Sequence, residues 1–330
     1  MLRLPKFTYH RPTRVADAVA LKAQHGKQAS FVAGGTDLYP NMKRRQQRPA
    51  HVIGLSAIGD LYRVDGDPVR GLDIGAMVTL RDLEQSQVVR EHYAAVAQAV
   101  RLVSTPLLRN MGTIGGNLLL DTRCNYYDQT HEWREAIDFC MKCDGSICWV
   151  APSSPRCWAV QSSDTVPLLV ALGAEATLVG ARGARRIALG DLYRDDGIAY
   201  LNKEPDELLT QVHLPPADGW RASYQKLRRR GTFDFPVLGV GVWLRLAGDV
   251  VQDVRIRIGG AGSHPIAALD AERALVGQKL THELLEAAAQ TAYKPTRAMD
   301  NTDHEALWRK KMAPIFVARA VREAVQLAAV

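Results

Sequence analysis

Two doubled glycines restrict the folding of this chain more than any other feature: one in VAGGTDL, Val32 to Leu38, and one in TIGGNL, Thr113 to Leu118. Each joins an apolar run to a polar continuation. Paired glycines let successive backbone N–H groups turn toward one centre, where phosphate oxygens fit without interference from a side chain. A tight turn needing positive φ explains either pair taken alone. Two such loops, one continuing into Thr-Asp and the other into Asn, together point to a pyrophosphate cradle. The Rossmann and P-loop routes to that cradle are excluded, because no G-x-G-x-x-G opens a helix and no G-x-x-x-x-G-K-[ST] occurs. A different dinucleotide scaffold is required.

The periodicity around the loops supplies one. A helical pattern over Val15 to Gln24, apolar strands at Ser30 to Ala33 and Val52 to Leu55, and a strand at Leu72 to Ala76 make two short α/β units. Helical patterns follow from Thr79 through Leu83 and from Tyr93 to Val103, the latter closed by Pro106. Thr165 to Leu172 reads as a helix and Glu175 to Gly180 as a strand. HLPPADGW, His213 to Trp220, reads as a loop and a domain boundary. Beyond it, Val237 to Leu246 and Val250 to Ile258 form a hairpin, with Val254, Ile256 and Ile258 alternating against Arg255 and Arg257. Helices over Thr281 to Tyr293 and Pro314 to Ala328 complete an α+β unit.

At 330 residues, 47% hydrophobic and 23% charged, the chain has room for two or three packed units. The amino terminus lacks an apolar signal core, and the longest apolar stretch, Val166 to Ala181, is broken by Glu175 and glycines, so neither export nor a membrane span is expected. The expectation is a cytoplasmic protein. A net charge of +7 gathers partly in KRRQQR, Lys43 to Arg48, and KLRRR, Lys226 to Arg230. Neither run carries stacking aromatics or a nucleic-acid motif, so solvated faces or an acidic protein partner are the better readings, and no nucleic acid is expected.

All five cysteines, Cys124, Cys140, Cys143, Cys148 and Cys157, fall in one polar stretch, spaced C-x15-C-x2-C-x4-C-x8-C. In a reducing compartment they suit a metal better than disulfides. The spacing matches neither a zinc ribbon nor a bacterial ferredoxin run, and three readings stay open. A structural zinc could staple a coreless loop, with His131 as a spare ligand. An iron–sulfur cluster could staple it and pass electrons. Free thiols could pack as small hydrophobes, although Arg123, Asn125, Lys142 and Asp144 make poor neighbours for a buried core.

Six ordered motifs give the chain a specific likeness: AGGTDL, IGAMVTL, NMGTIGGNL, SDTVPLLVALGA, DELLTQVHLP and YQKLRRRGTFDFP. In these it resembles the FAD-binding middle subunits of the molybdenum hydroxylases, the xanthine dehydrogenase group. The resemblance implies an α+β protein: a two-subdomain FAD-binding fold of the vanillyl-alcohol oxidase (PCMH) type and a small α+β carboxy-terminal domain. It would place the FAD-binding domain at residues 1–217, split near residue 58, and the small domain, like that of CO-dehydrogenase flavoproteins, at 218–330. It also implies diphosphate-binding loops at Ala33, Gly34, Gly35, Thr36, Asp37 and Leu38 and at Thr113, Gly115, Gly116 and Asn117. Asp164 and Lys226 would lie near the flavin end; helix capping and a basic strand edge are their plainer explanations.

In ordinary members of that group only a short connection joins Asn117 to Asp164, so residues 121–160 read as an insertion. Such an insertion resembles that of the flavin subunits of 4-hydroxybenzoyl-CoA reductases, whose C-x15-C-x7-C-x8-C pattern holds a 4Fe-4S cluster. Applied to this chain, the pattern takes Cys124, Cys140, Cys148 and Cys157 and leaves out Cys143. By resemblance the subunit would carry FAD and the cluster and exchange electrons with a ferredoxin. It would partner a molybdenum-cofactor large subunit and a small subunit with two 2Fe-2S clusters, in a dimer of heterotrimers that removes a phenolic hydroxyl from an aryl-CoA thioester. Two rival expectations are the flavin subunit of an oxidative molybdenum hydroxylase for another aromatic or heterocyclic substrate, and a zinc-stabilised flavoprotein binding module. No substrate-transforming residue is expected on this chain.

Overall fold

The computed structural model of the chain describes residues 3–326. Three sheets follow one another along the sequence. In the first, β1 (Thr8–His10), β2 (Ala29–Val32) and β3 (His51–Gly54) run parallel in the order β1-β3-β2, connected through α1 (Val15–His25) and α2 (Leu38–Lys43). β3 is apolar at successive positions because both faces are covered. Ile53 shares a core with Ala18, Val19 and Ala29, whereas Val52 packs with Val32 and Met42.

The second sheet is antiparallel, with β4 (Val64–Asp67), β5 (Gly71–Gly75), β6 (Glu175–Gly180), β7 (Gly183–Ala188) and β8 (Leu208–Leu214) in the order β4-β5-β8-β6-β7. Between β5 and β6 the chain forms α3 (Leu80–Gln85), α4 (Gln87–His92), α5 (Ala94–Arg101), α6 (Pro106–Arg109), α7 (Ile114–Leu118), α8 (His131–Ala136) and α9 (Thr165–Leu172). Residues of α3, α4, α5, α7 and α9 join the sheet in one core. α9 is buried almost all round, which is why its sequence, TVPLLVAL, shows no polar face.

The third sheet, β9 (Trp220–Leu227), β10 (Leu238–Ala247), β11 (Val250–Gly259) and β12 (Ile266–Ala267), is antiparallel in the order β12-β11-β10-β9 and is followed by α10 (Leu269–Leu275), α11 (His282–Gln290) and α12 (Ala306–Gln326). Its strands alternate. Leu238, Val240, Val242 and Leu244 share a core with Phe316, Val317, Ala320 and Val321 of α12. On the other face α9 lies directly against β10, since a Cβ on Gly241 would collide with the backbone of Leu168. Arg255 stacks 4.2 Å from the Trp243 ring and donates from Nη1 to the Ala171 carbonyl at 3.3 Å, placing a cation at the negative end of α9.

Three sequence expectations are corrected here. α12 starts at Ala306, not Pro314, and carries Pro314 inside it; the proline forfeits one helical hydrogen bond but is buried with its neighbours in the third core. Residues 327 and 328 of that expected helix lie outside the described residues. HLPPADGW is a loop only between its ends, because β8 runs through His213 and Leu214, and β9 begins at Trp220. α11 stops at Gln290, and Thr291–Tyr293 tighten into a 3₁₀ turn. Among the described residues no helix is long and apolar enough to cross a membrane.

Candidate functional site

The two glycine loops touch. β2 delivers the chain into Ala33 to Asp37, and a Cβ on Gly34 would run into the Met111 carbonyl that precedes the second loop. Gly35, at φ 72°, turns the chain toward α2. Among the described residues, none of the backbone N–H groups from Gly34 to Asp37 has a protein acceptor. Polar groups left open in this way are what an anionic ligand uses.

The second loop has the opposite character. Ile114 and Gly115 donate to the Val78 and Ala76 carbonyls, each at 3.0 Å, and Asn117 donates to the Thr113 carbonyl at 2.9 Å. Thr113 caps α7, its Oγ1 accepting from the Gly116 N–H at 3.1 Å. This loop therefore offers mainly side chains and space, since most of its backbone donors are already used. Asn117 Oδ1 accepts from the Ser163 and Thr165 hydroxyls at 2.6 Å each, which fixes the amide and leaves Nδ2 as its donor. Asp37 is used internally: its carboxylate accepts from Arg123 and, at 3.1 Å, from Asn41 Nδ2. Leu38 opens α2 and packs beside Val32, Met42 and Val52.

Asp164 and Lys226, 62 residues apart, meet in the interior at 2.9 Å with side chains 4% and 1% exposed. Tyr224 donates to the other Asp164 oxygen at 2.9 Å, and Lys226 also donates to the Leu102 carbonyl at 2.9 Å. Burial pushes the carboxyl up and the ammonium down, and each charge opposes the shift of the other. Asp164 stands at the start of α9, but its side chain makes no capping bond. Lys226 is on the edge strand β9, yet it points into the protein.

The cysteine segment is closed at its neck by reciprocal backbone bonds between Arg123 and Val160, 2.8 and 2.7 Å. Within it, Cys124, Cys140, Cys148 and Cys157 are buried and line one narrow pocket with Tyr127, Lys142 and Trp149. Cys143 is not on its wall. It turns toward Arg134 Nη1 at 3.3 Å and the Gln46 carbonyl at 3.6 Å. Burial pushes the Cys124 thiol up to about 12 and the Cys157 thiol up to about 11; the neighbouring thiols add to both shifts. Zinc with Zn–S bonds of about 2.3 Å would hold its sulfurs roughly 3.8 Å apart. Among the described residues no three of these sulfurs come within 4.8 Å of one another, so the spacing is wider than a mononuclear site requires. Asp138, Phe139 and Asp144 hold positive φ (60°, 56° and 69°), backbone that only its surroundings can enforce.

Of the four polar residues judged poor neighbours for a buried core, Asn125 and Asp144 are exposed, but the side chains of Arg123 and Lys142 are buried. Lys142, 6% exposed in its side chain, donates at 2.8 Å each to Asp121 Oδ1, Thr122 Oγ1 and the Gly197 carbonyl. Arg123 pairs with Asp37 and Asp128 and lies 4.6 Å from the Phe235 ring. The basic run Lys43 to Arg48 grips the segment: Arg48 pairs with Asp144 at 2.5 Å, and Gln46 donates to the Tyr127 carbonyl at 2.5 Å. In the second run, Arg229 pairs with Asp303 at 3.3 Å, and Arg230 with Asp234. Both runs thus find acidic partners within the chain. Between Arg123, Cys124, Phe233, Phe235 and Asp303 lies a cleft of about 180 Å³.

Sequence reasoning missed Tyr224, Lys142 and Arg134. Tyr224 was within reach, since it stands two residues before Lys226 on the same face of β9. Lys142 and Arg134 carry no sequence signal for burial, because their partners come from distant turns.

Residues 5–217 match the family described as FAD binding domain in molybdopterin dehydrogenase, and residues 222–324 match the CO dehydrogenase flavoprotein C-terminal domain. Among curated proteins, the chain is 32% identical to the carbon monoxide dehydrogenase medium chain of Afipia carboxidovorans, over 96% of each chain. It is 33% identical to the aldehyde oxidoreductase FAD-binding subunit PaoB of Escherichia coli, over 87% of this chain and 92% of the other. Its fold superposes on the carbon monoxide dehydrogenase of Hydrogenophaga pseudoflava with a TM-score of 0.82 at 28% identity, covering 98% of this chain and 99% of that one.

Proposed function

This chain belongs to the family of FAD-binding domains of the molybdopterin dehydrogenases, and from that premise we propose that it is an electron-transfer subunit holding one FAD and one 4Fe-4S cluster. FAD binding and membership of an oxidoreductase follow from the family; the cluster rests on the cysteine segment of this chain. The diphosphate lies on the open N–H groups of Gly34 to Asp37, with Ala33 and Leu38 shaping that loop, and against Thr113, Gly115, Gly116 and Asn117. Asp164 and Lys226 support the flavin end from within. Residues 1–217 form the FAD-binding domain, with a split near residue 58 and the insertion at 121–160, and residues 218–330 the smaller domain. The flavin lets one-electron and two-electron carriers communicate.

The observation that carries the cluster is the sorting of the cysteines. Four buried thiols share a pocket, and the fifth is held outside it by Arg134. Their separation favours a multinuclear centre over a single zinc. The partners are a molybdenum-cofactor subunit, where substrate reacts, a small subunit with two 2Fe-2S clusters and a ferredoxin, assembled in the cytoplasm as a dimer of heterotrimers. The likeness of the insertion to that of aryl-CoA reductases favours reductive dehydroxylation. The names of the relatives, which include carbon monoxide dehydrogenase, aldehyde oxidoreductase and nicotine 6-hydroxylase, support a second reading as the flavin subunit of an oxidative hydroxylase.

The test is anaerobic purification with the genetic neighbours, followed by FAD, iron and sulfide analysis and turnover assays. Four irons per FAD on this chain, with reduced-viologen-dependent loss of the hydroxyl from 4-hydroxybenzoyl-CoA, is the expected result. Flavin without iron would overturn the cluster. Oxidation of aldehydes or N-heterocycles, with no aryl-CoA reduction, would select the second reading. Gly34→Val should abolish FAD retention, and full occupancy in that variant would overturn the loop assignment.

A further inference from the structure

We propose that His10, His25 and His51 form a binding site for a divalent transition metal of the zinc type, outside the flavin and cysteine sites. The three imidazoles come from three elements: the end of β1, the last residue of α1 and the first residue of β3. Thr8 is in register with His51, so His10 and His51 project from the same face of the parallel sheet. α1 ends over that face and brings His25 alongside.

His10 Nε2 and His51 Nδ1 are 3.0 Å apart, the His25 ring stacks on His51 with centroids 3.7 Å apart, and one nitrogen from each ring lies within 4.8 Å of the others. A hydrogen bond between His10 and His51 satisfies one donor and one acceptor and leaves the His25 nitrogens without a protein partner among the described residues. None of the three pairs with a carboxylate among those residues, so the donor set is purely imidazole. Imidazole nitrogen suits zinc, copper and nickel, whereas calcium and magnesium want oxygen. With metal–nitrogen bonds of about 2.0 Å the nitrogens of a tetrahedral site stand roughly 3.3 Å apart, a closure that rotation of partly exposed rings supplies. The fourth position is left to water. A metal there would tie two strands and a helix of the smallest sheet together where its hydrophobic contacts are few.

The test uses the full chain with FAD and its native metal content, any polyhistidine tag removed, and zinc titrated by calorimetry with absorption spectroscopy at the zinc edge. One zinc should bind per chain, with nitrogen or oxygen neighbours at about 2.0 Å and no sulfur near 2.3 Å. His10→Gln, His25→Gln and His51→Gln should each weaken it by about tenfold or more, and zinc should raise the thermal midpoint of the parent but not of the variants. His25 ends a helix on a partly exposed turn, so His25→Gln keeps the test decisive if a strand variant folds poorly. No binding, or undiminished affinity in His25→Gln, would overturn the site. Zinc taken up by vacant thiols would give sulfur neighbours in parent and histidine variants alike, so the loss of nitrogen-ligated zinc in the variants reads this site apart from the cysteine cluster and from the substrate of the complex.

Discussion

Among the ionisable side chains buried in this protein, two groups are resolved in opposite ways. Asp164 and Lys226 are nearly sealed from solvent, but the carboxylate accepts from Lys226 and Tyr224, and the ammonium donates to Asp164 and Leu102. That pair is complete within the chain. The thiols of Cys124, Cys140, Cys148 and Cys157 are also buried, and their neighbours add little beyond backbone N–H groups from Tyr126 to Cys124 and from Ala159 to Cys157 and the charge of Lys142. Neutral thiols tolerate this; thiolates do not. The Asp164–Lys226 pair is finished by its own side chains, whereas the buried thiols have no comparable set of partners among the described residues.

The largest effect should come from breaking the second group. Replacing Cys124, Cys140, Cys148 or Cys157 singly by Ser should remove the cluster, read as loss of iron and of the paramagnetic signal of the reduced protein, with FAD retained. Cys143→Ser should keep both, because that thiol faces Arg134. Cluster loss in Cys143→Ser with retention in Cys148→Ser would reverse the assignment.

The next effect tests the first group. Lys226→Met leaves Asp164 buried without its counter-charge and should lower the unfolding free energy by about 3–5 kcal/mol in urea melts. The double replacement Asp164→Leu with Lys226→Met should recover most of that loss, since an apolar pair no longer buries an orphan charge. Equal losses in single and double variants would mean that packing, not charge, sets the cost.

Alkali distinguishes the two groups without mutation. Burial raises two of the thiols above their usual value of 9.0, Cys124 to about 12 and Cys157 to about 11. Above about pH 9 the unfolded chain releases thiol protons that the metal-free fold retains, so stability from these groups is full below pH 9 and is lost as pH rises toward the folded values. At about pH 10 each should cost on the order of 1 kcal/mol. With a cluster in place the thiolates have no proton to lose, and the difference between loaded and metal-free melts should widen with pH. The buried tyrosines away from this pocket, Tyr93, Tyr193 and Tyr224, contribute equally to both forms and cancel. A constant difference from neutral to alkaline pH would show that the thiols are not ionised on loading.

The same contrast marks what the sequence could tell. α9 and β6 fall where their patterns begin and end, because an apolar run bounded by Asp164 and Gly173 leaves little choice. The third sheet was legible from Val254, Ile256 and Ile258, which face the helices while Arg255 reaches α9. Pro314 misled, because local propensity argues against a proline within a helix and only tertiary burial overrides it. The doubled glycines looked alike as sequence, yet the first leaves its N–H groups open and the second spends them on Val78, Ala76 and Thr113. Hydrogen-bond partners far along the chain decide that, and periodicity does not encode them. Burial of Lys142 between Asp121 and Gly197 was hidden for the same reason.

The smallest expected effect lies where the two regions meet. Arg48 reaches across to Asp144 at 2.5 Å, with side chains 47% and 42% exposed, and this ion pair joins the basic run after α2 to the cysteine segment. Exposed pairs contribute about 0–1 kcal/mol, because water screens the charges and two long side chains must be ordered. Arg48→Ala should therefore shift the urea midpoint only slightly and leave FAD content unchanged. Gln46 and Arg134 still bind the segment from buried positions, through the Tyr127 and Arg44 carbonyls, so iron content should also survive. Gln46→Ala removes one of those buried anchors and should cost more, on the order of 1–2 kcal/mol, with slower cluster reconstitution. If Arg48→Ala alone released the iron, the segment would depend on its surface contacts, and its four thiols would not be the element that orders it.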